Sequence, residues 1–125
     1  MTHAINWFEI PTTNLERAAR FYEEVLGVSL KREQFAGTDQ PMAIFQGEQD
    51  SVRGALIADK RRKPVADGAL VYLHAPELDA SLARLEKAGG SLVMPKTDIG
   101  APGFIALVKD SEGNVVGLHA PRAMA

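Results

Sequence analysis

Any chemistry this 125-residue chain performs must come from a few residues: Glu9, three histidines (His3, His74 and His119), and aromatic residues in apolar runs. Glu9 lies two residues after Trp7. A carboxylate facing an apolar cavity has its charged form disfavoured, which moves its proton affinity toward neutrality and suits it to general-base work. The plainer alternative is an ion pair with Arg53, or an exposed position at a cavity rim. His74 and His119, taken with Glu9, form a two-histidine, one-carboxylate set, enough to hold a catalytic metal with open coordination positions. As strand-end histidines they equally suit surface or hydrogen-bonded structural roles. His3 is near the terminus and is the weakest of the three. The rings of Trp7, Tyr72, Phe45 and Phe104 could hold a planar ligand by stacking, while Phe45 and Phe104 also suit an ordinary core. Lys96 could meet an anionic ligand or simply be solvated.

These residues need elements to position them. Ile5–Ile10 is short and rich in aromatic and β-branched residues, and Pro11 is expected to close it as a strand. Alternation puts Ile5, Trp7 and Glu9 on one face, with Asn6, Phe8 and Ile10 on the other. Asn14 offers an N-cap to a helix in which Leu15, Ala18, Phe21/Tyr22, Val25 and Leu26 recur at helical spacing before Gly27. Strands are expected at 28–35, 42–46 and 52–58. The pattern then repeats: a strand over 69–75 ended by Pro76, a helix over 78–88 stopped by Gly89-Gly90, and strands at 91–95, 103–108 and 114–120. Asp110-Ser111-Glu112-Gly113-Asn114 is a tight turn.

The two passes are offset by about 62 residues, the signature of a duplicated βαβββ unit. They divide the chain, one domain over residues 1–125, into a first module at 5–58, a linker at 59–68 and a second module at 69–120. Trp7, Glu9, Tyr72 and His74 then sit on equivalent strands, with His119 two residues past Gly117.

Composition narrows the classes. Nearly half of the residues are apolar, which suits one compact domain with a real core. The formal charge is −2, and the one concentrated basic run is Lys60-Arg61-Arg62-Lys63, so no broad cationic surface for nucleic acid is present. That tetrad reads most simply as a solvated loop, with a small anion-steering patch as its functional alternative. The absence of cysteine removes disulfides, thiolate metal sites and cysteine nucleophiles and fits a reducing compartment. No leader or membrane-spanning run is evident, so a cytoplasmic protein without membrane contact is expected. Phosphate-binding and dinucleotide fingerprints are missing.

Several segments carry a resemblance when taken together. They are Phe8-Glu9-Ile10-Pro11, Asn14-Leu15-Glu16-Arg17-Ala18-Ala19-Arg20-Phe21-Tyr22 with Leu26-Gly27, Leu85 to Gly90, Met94-Pro95-Lys96-Thr97-Asp98, and Asp110-Ser111-Glu112-Gly113-Asn114. They resemble the vicinal oxygen chelate superfamily of glyoxalases, extradiol dioxygenases and bleomycin-resistance proteins, over nearly the whole chain. The resemblance implies an α+β fold in which two tandem βαβββ modules form a curved mixed sheet with a central cup, and usually a homodimer. In the metal-dependent members, ligands come from the first and last strands of each module. The matching positions here fall on Trp7, near Gly54, on or next to Leu70, and on Gly117. An indole, a hydrogen and an alkyl chain offer no useful lone pair to a divalent cation. A site displaced by two residues would move each ligand roughly 6–7 Å along its strand and demand a concerted shift.

The expected function is therefore metal-independent binding of a small aromatic or hydrophobic molecule in the cup. Trp7, Tyr72, Phe45 and Phe104 would form its walls, with Glu9, His74 or His119 orienting the ligand and no cofactor required. Two alternatives stand beside it. One is a lyase, isomerase or dioxygenase using a displaced divalent metal or a Glu9/His74 acid–base pair, and the other is a noncatalytic partner-binding domain.

Overall fold

The computed structural model describes residues 3–122. The first half comprises β1 (Trp7–Pro11), α1 (Leu15–Leu26), β2 (Leu30–Glu33), β3 (Met42–Phe45) and β4 (Arg53–Ile57). The second comprises β5 (Tyr72–His74), α2 (Leu78–Ala88), β6 (Ser91–Asp98), β7 (Phe104–Lys109) and β8 (Val115–Ala120). Each half builds a four-stranded mixed sheet, ordered β1-β4-β3-β2 and β5-β8-β7-β6, in which only the β1–β4 and β5–β8 pairs are parallel. This is the α+β duplication that the sequence pattern implies. No helix among the described residues is long and apolar enough to cross a membrane.

Local chemistry explains most element ends. The Asn14 side chain accepts the Arg17 amide and caps α1, while Gly27 and Gly89 take the left-handed conformation that stops each helix. Pro11 does not close β1 as expected but forms its last residue. β1 is an edge strand, so the missing N–H can face away from the ladder. β6 likewise runs through Pro95 to Asp98, because it is the edge of its sheet and shifts register on either side of Met94. β5 is shorter than the expected strand over 69–75; beyond its ladder, Val71 O accepts one further bond from Gly117 N.

One core serves both halves. Ile10, Phe21, Tyr22, Val25 and Leu56 from the first cluster with Leu73, Leu85, Val108 and Leu118 from the second. Arg84 of α2 donates from Nε to Glu24 O (2.7 Å) and from Nη2 to Val25 O (2.9 Å). It thereby satisfies the last-turn carbonyls of a helix that has no basic residue of its own there.

The Asp110–Asn114 turn of the second half locks onto the first. The Tyr22 hydroxyl donates to Asp110 Oδ2 (2.6 Å) inside the core, and burial followed by that neighbouring carboxylate pushes its proton affinity well above the usual phenol range. Asp110 Oδ1 accepts the Glu112 and Asn114 amides. Asn114 Nδ2 donates to Pro11 O (2.8 Å), and Asn114 Oδ1 accepts Val65 N (3.1 Å).

Glu112 goes further, with a fully buried side chain lying across the N-terminus of α1. Its Oε1 accepts the Thr13 amide (2.9 Å), the Thr13 hydroxyl (3.0 Å), the Asn14 amide (3.0 Å) and Arg17 Nη2 (2.9 Å). Its Oε2 accepts Arg17 Nε (2.7 Å) and the Ser111 hydroxyl (3.0 Å). Burial by itself pushes this carboxyl up, but the donors from Arg17, Thr13 and Ser111 together outweigh it and hold the group at about 2 instead of 4.5.

A carboxyl whose folded value lies below its unfolded one stabilises the fold fully above about 4.5, and this stability is lost as pH falls toward about 2. We expect Glu112→Gln to cost roughly 2–3 kcal/mol at pH 7, the scale of a buried charge-assisted hydrogen bond. Urea denaturation at pH 7, 4 and 2.5 checks this: the gap between wild type and variant narrows as the acid limb is descended.

Candidate functional site

The open face of the first sheet is set by strand parity. In the parallel β1–β4 pair, Trp7 lies level with Arg53, Phe8 with Gly54, Glu9 with Ala55 and Ile10 with Leu56. Phe8, Ile10 and Leu56 turn toward the helices and the shared core. Trp7, Glu9, Arg53 and Ala55 therefore share the opposite face. Met42, Ile44, Ala55 and Ile57 form a second, smaller apolar cluster.

A cleft of about 1190 Å³ extends from this cluster, with Glu9, Met42 and Ile57 on the sheet side, the 37–41 loop on one flank and the Lys60–Lys63 run on the other. It adjoins a recess of about 630 Å³ bounded by Trp7, Phe8, Glu9, Pro11, Ile57, Arg62 and Lys63. Trp7 keeps 37% of its surface exposed, packs edge-on against Phe35 with centroids 6.4 Å apart, and donates from Nε1 to Glu9 Oε2 (3.2 Å). Glu9 is exposed, and among the described residues it makes no ion pair with Arg53.

The remaining candidates separate. Tyr72 lies level with Gly117, and His74 with His119, on the open face of the second sheet and outside both clefts. Tyr72 is 47% exposed, and its ring lies across Gly117. His119 is held through Nε2 to Pro102 O (2.7 Å). Phe45 is packed with the core, its ring 5.7 Å from Phe8 and 5.5 Å from Tyr22. Phe104 also packs against the core, flanked by Lys96 and Arg122 at 4.7 Å from its centroid. Both rings thus sit on the helix side and not with Trp7, because their strand positions have the opposite parity. Lys96 is occupied by Asp79 (3.2 Å) and Phe104. His3 is exposed and lines neither cleft.

The metal positions need one correction. Gly54 faces Phe8 and the core, so the open-face residue matching Gly117 is Ala55: Thr12 N bonds Ile57 O as Ala75 N bonds His119 O, which aligns the two modules. Trp7, Ala55, Leu70 and Gly117 supply no side-chain donor, so the residues at these positions do not fit a divalent cation. Among the described residues, no group of three or more His, Asp or Glu side chains could hold a metal ion.

Residues 4–118 match the family described as the Glyoxalase/Bleomycin resistance protein/Dioxygenase superfamily. The chain belongs to that superfamily. Among curated superfamily relatives, CFP32 of Mycobacterium tuberculosis is 28% identical over 120 residues, covering 90% of this chain and 44% of CFP32, so the chain spans less than half of that relative's length. A glyoxalase/bleomycin resistance protein from Albidiferax ferrireducens T118 superposes with a TM-score of 0.69 at 17% identity, covering 93% of this chain and 98% of that one. TnmS3, an antibiotic binding protein from Streptomyces sp. CB03234, superposes with a TM-score of 0.63 at 24% identity and 97% coverage of both chains. These structural likenesses establish the superfamily fold.

The Lys60–Lys63 run, which reads most simply as a solvated loop in the sequence, lines the cleft, and Arg62 and Lys63 also line the recess. The signal was present in Lys60-Arg61-Arg62-Lys63, but only the fold shows which sheet face the tetrad borders.

The two glycines under aromatic rings should respond differently to substitution. A methyl group at Gly54 meets the partly buried Phe8 ring and the Phe8 carbonyl oxygen, whereas the atoms nearest to one at Gly117 belong to the half-exposed Tyr72 ring, which can swing outward. Gly54→Ala is expected to cost about 1–3 kcal/mol by overpacking, and Gly117→Ala less than about 1 kcal/mol. Chemical denaturation of the two variants checks the order.

Proposed function

We propose that this chain binds a small aromatic or hydrophobic molecule on the open face of its first sheet without using a metal. The observation that carries the reading is the half-exposed Trp7 on the wall of a recess that it shares with Pro11 and Ile57, adjoining a cleft large enough for a small organic ligand. A large ring left in solvent beside an apolar floor gains by covering a ligand, and Trp7 occupies a position where a metal-dependent relative would place a ligand side chain. Sequestration is the corresponding mechanism: the apolar body stacks on Trp7, and Glu9 orients a polar group. The fold shared with TnmS3, an antibiotic binding protein, supports the same reading.

The reading includes a homodimer. Tyr72 and His74 are exposed on a sheet face separate from Trp7, and a second copy that brings this face over the first would close the cleft. Sedimentation velocity tests the dimer directly.

Trp7 is the only tryptophan, so its fluorescence reports on the site. Titration with 2-naphthamide is expected to change that emission saturably, and Trp7→Ala, followed by calorimetry, to weaken binding roughly tenfold. No saturable response across a panel of aromatic amides and alcohols would sink the proposal. So would a stoichiometric metal, found by elemental analysis of protein purified without chelators, whose removal abolishes binding.

A further inference from the structure

The recess beside Trp7 has a charged wall as well as an apolar one. Its charged residues are Arg62, Lys63 and Glu9. In the adjoining cleft, four cations at Lys60–Lys63 face Glu9, Asp39, Asp59 and Glu112. Two of those carboxylates are already engaged, Glu112 by Arg17 (2.7 Å) and Asp59 by Arg61 (3.1 Å). Among the described residues, Arg62 and Lys63 enter no ion pair.

The basic pair is also held in place. Arg62 N donates to Asp59 O (2.9 Å), closing a turn, and Arg61 N donates to Asp59 Oδ1 (2.9 Å). On the other side of the pair, Val65 N is tied to Asn114 Oδ1 (3.1 Å). Pro64 restricts Lys63 to extended backbone. The linker therefore presents two cationic side chains, at low backbone-ordering cost, beside the apolar surface of Trp7, Pro11 and Ile57.

We propose that the molecule bound at Trp7 is an amphipathic organic monoanion: a flat apolar body against Trp7 and Ile57, with one carboxylate or similar head between Arg62 and Lys63. This rests on the binding reading above and adds the charge of the ligand. The Arg62 guanidinium suits a planar carboxylate, which it can grip with two hydrogen bonds. Glu9, hydrogen-bonded to the indole, leaves the recess with a net charge of about +1 from Arg62, Lys63 and Glu9, which favours a monoanion over a dianion.

The test compares 2-naphthoate with its neutral isostere 2-naphthamide on the full chain, by Trp7 fluorescence and calorimetry at low and high salt. Naphthoate is expected to bind about fivefold more tightly at low salt, the scale of two exposed ion pairs, and to lose most of that advantage at high salt. Arg62→Gln/Lys63→Gln should weaken naphthoate binding about fivefold and remove most of its preference over the amide. The charge-matched variant Arg20→Gln/Lys87→Gln, outside both clefts, should keep the preference. Equal affinities in the wild type overturn the inference while the binding reading stands, as does a preference that survives Arg62→Gln/Lys63→Gln or is lost in Arg20→Gln/Lys87→Gln. Failure of both probes to bind overturns both.

Discussion

Much of this structure depends on one carboxylate. Glu112, on a turn near the end of the described residues, places its buried side chain against the Thr13 and Asn14 amides that lead into α1, about a hundred residues away in sequence. Helix N-termini carry unpaired N–H groups and partial positive charge, so an anion is favoured there, and the Arg17 guanidinium completes its hydrogen bonding. Asp110 and Asn114 on the same turn bind Tyr22 and the Pro11 carbonyl. Three polar side chains of a five-residue turn thereby fix the second half on the first, around the apolar core that both share.

That arrangement turns the helix-facing sides of both sheets inward and leaves their other sides open. The consequence for function is direct. Aromatic residues of one parity, Phe8 and Phe45, are consumed by the core, and those of the other parity, Trp7 and Tyr72, are left at the surface. The parallel pairing of β1 with β4 and of β5 with β8 also sets an aromatic ring across a glycine in each half, Phe8 on Gly54 and Tyr72 on Gly117. In the second half this occurs on the open face. There the Tyr72 ring occupies the space into which a side chain at position 117 would project.

Much of the fold could be read in the chain, and less of the site. Asn14, Gly27 and Gly89 act through contacts within one or two turns, so their capping roles follow from residue type and spacing. The alternation of β1 correctly separates Trp7 and Glu9 from Phe8 and Ile10. Phe45 and Phe104 were harder to place, because an apolar ring in a short strand serves a cavity or a core equally well until its facing neighbours are known. The position near Gly54 resolves to Ala55 in the structure, because a one-residue step in a strand reverses the face. The basic tetrad was legible as charge, but its proximity to Trp7 was not.

The sequence by itself determined the duplicated pattern of helices and strands and the turn motif at 110–114. These follow from steric preference and hydrogen-bonding capacity, which belong to residues and their near neighbours. Only the tertiary structure decided that Glu112 binds the amides leading into α1, that Ala55 and not Gly54 lies on the sheet face opposite the helices, and that Arg62 and Lys63 line one recess with Trp7. Those outcomes depend on which faces meet when distant segments bury their apolar surface together, and that choice is made by the packing of the whole chain.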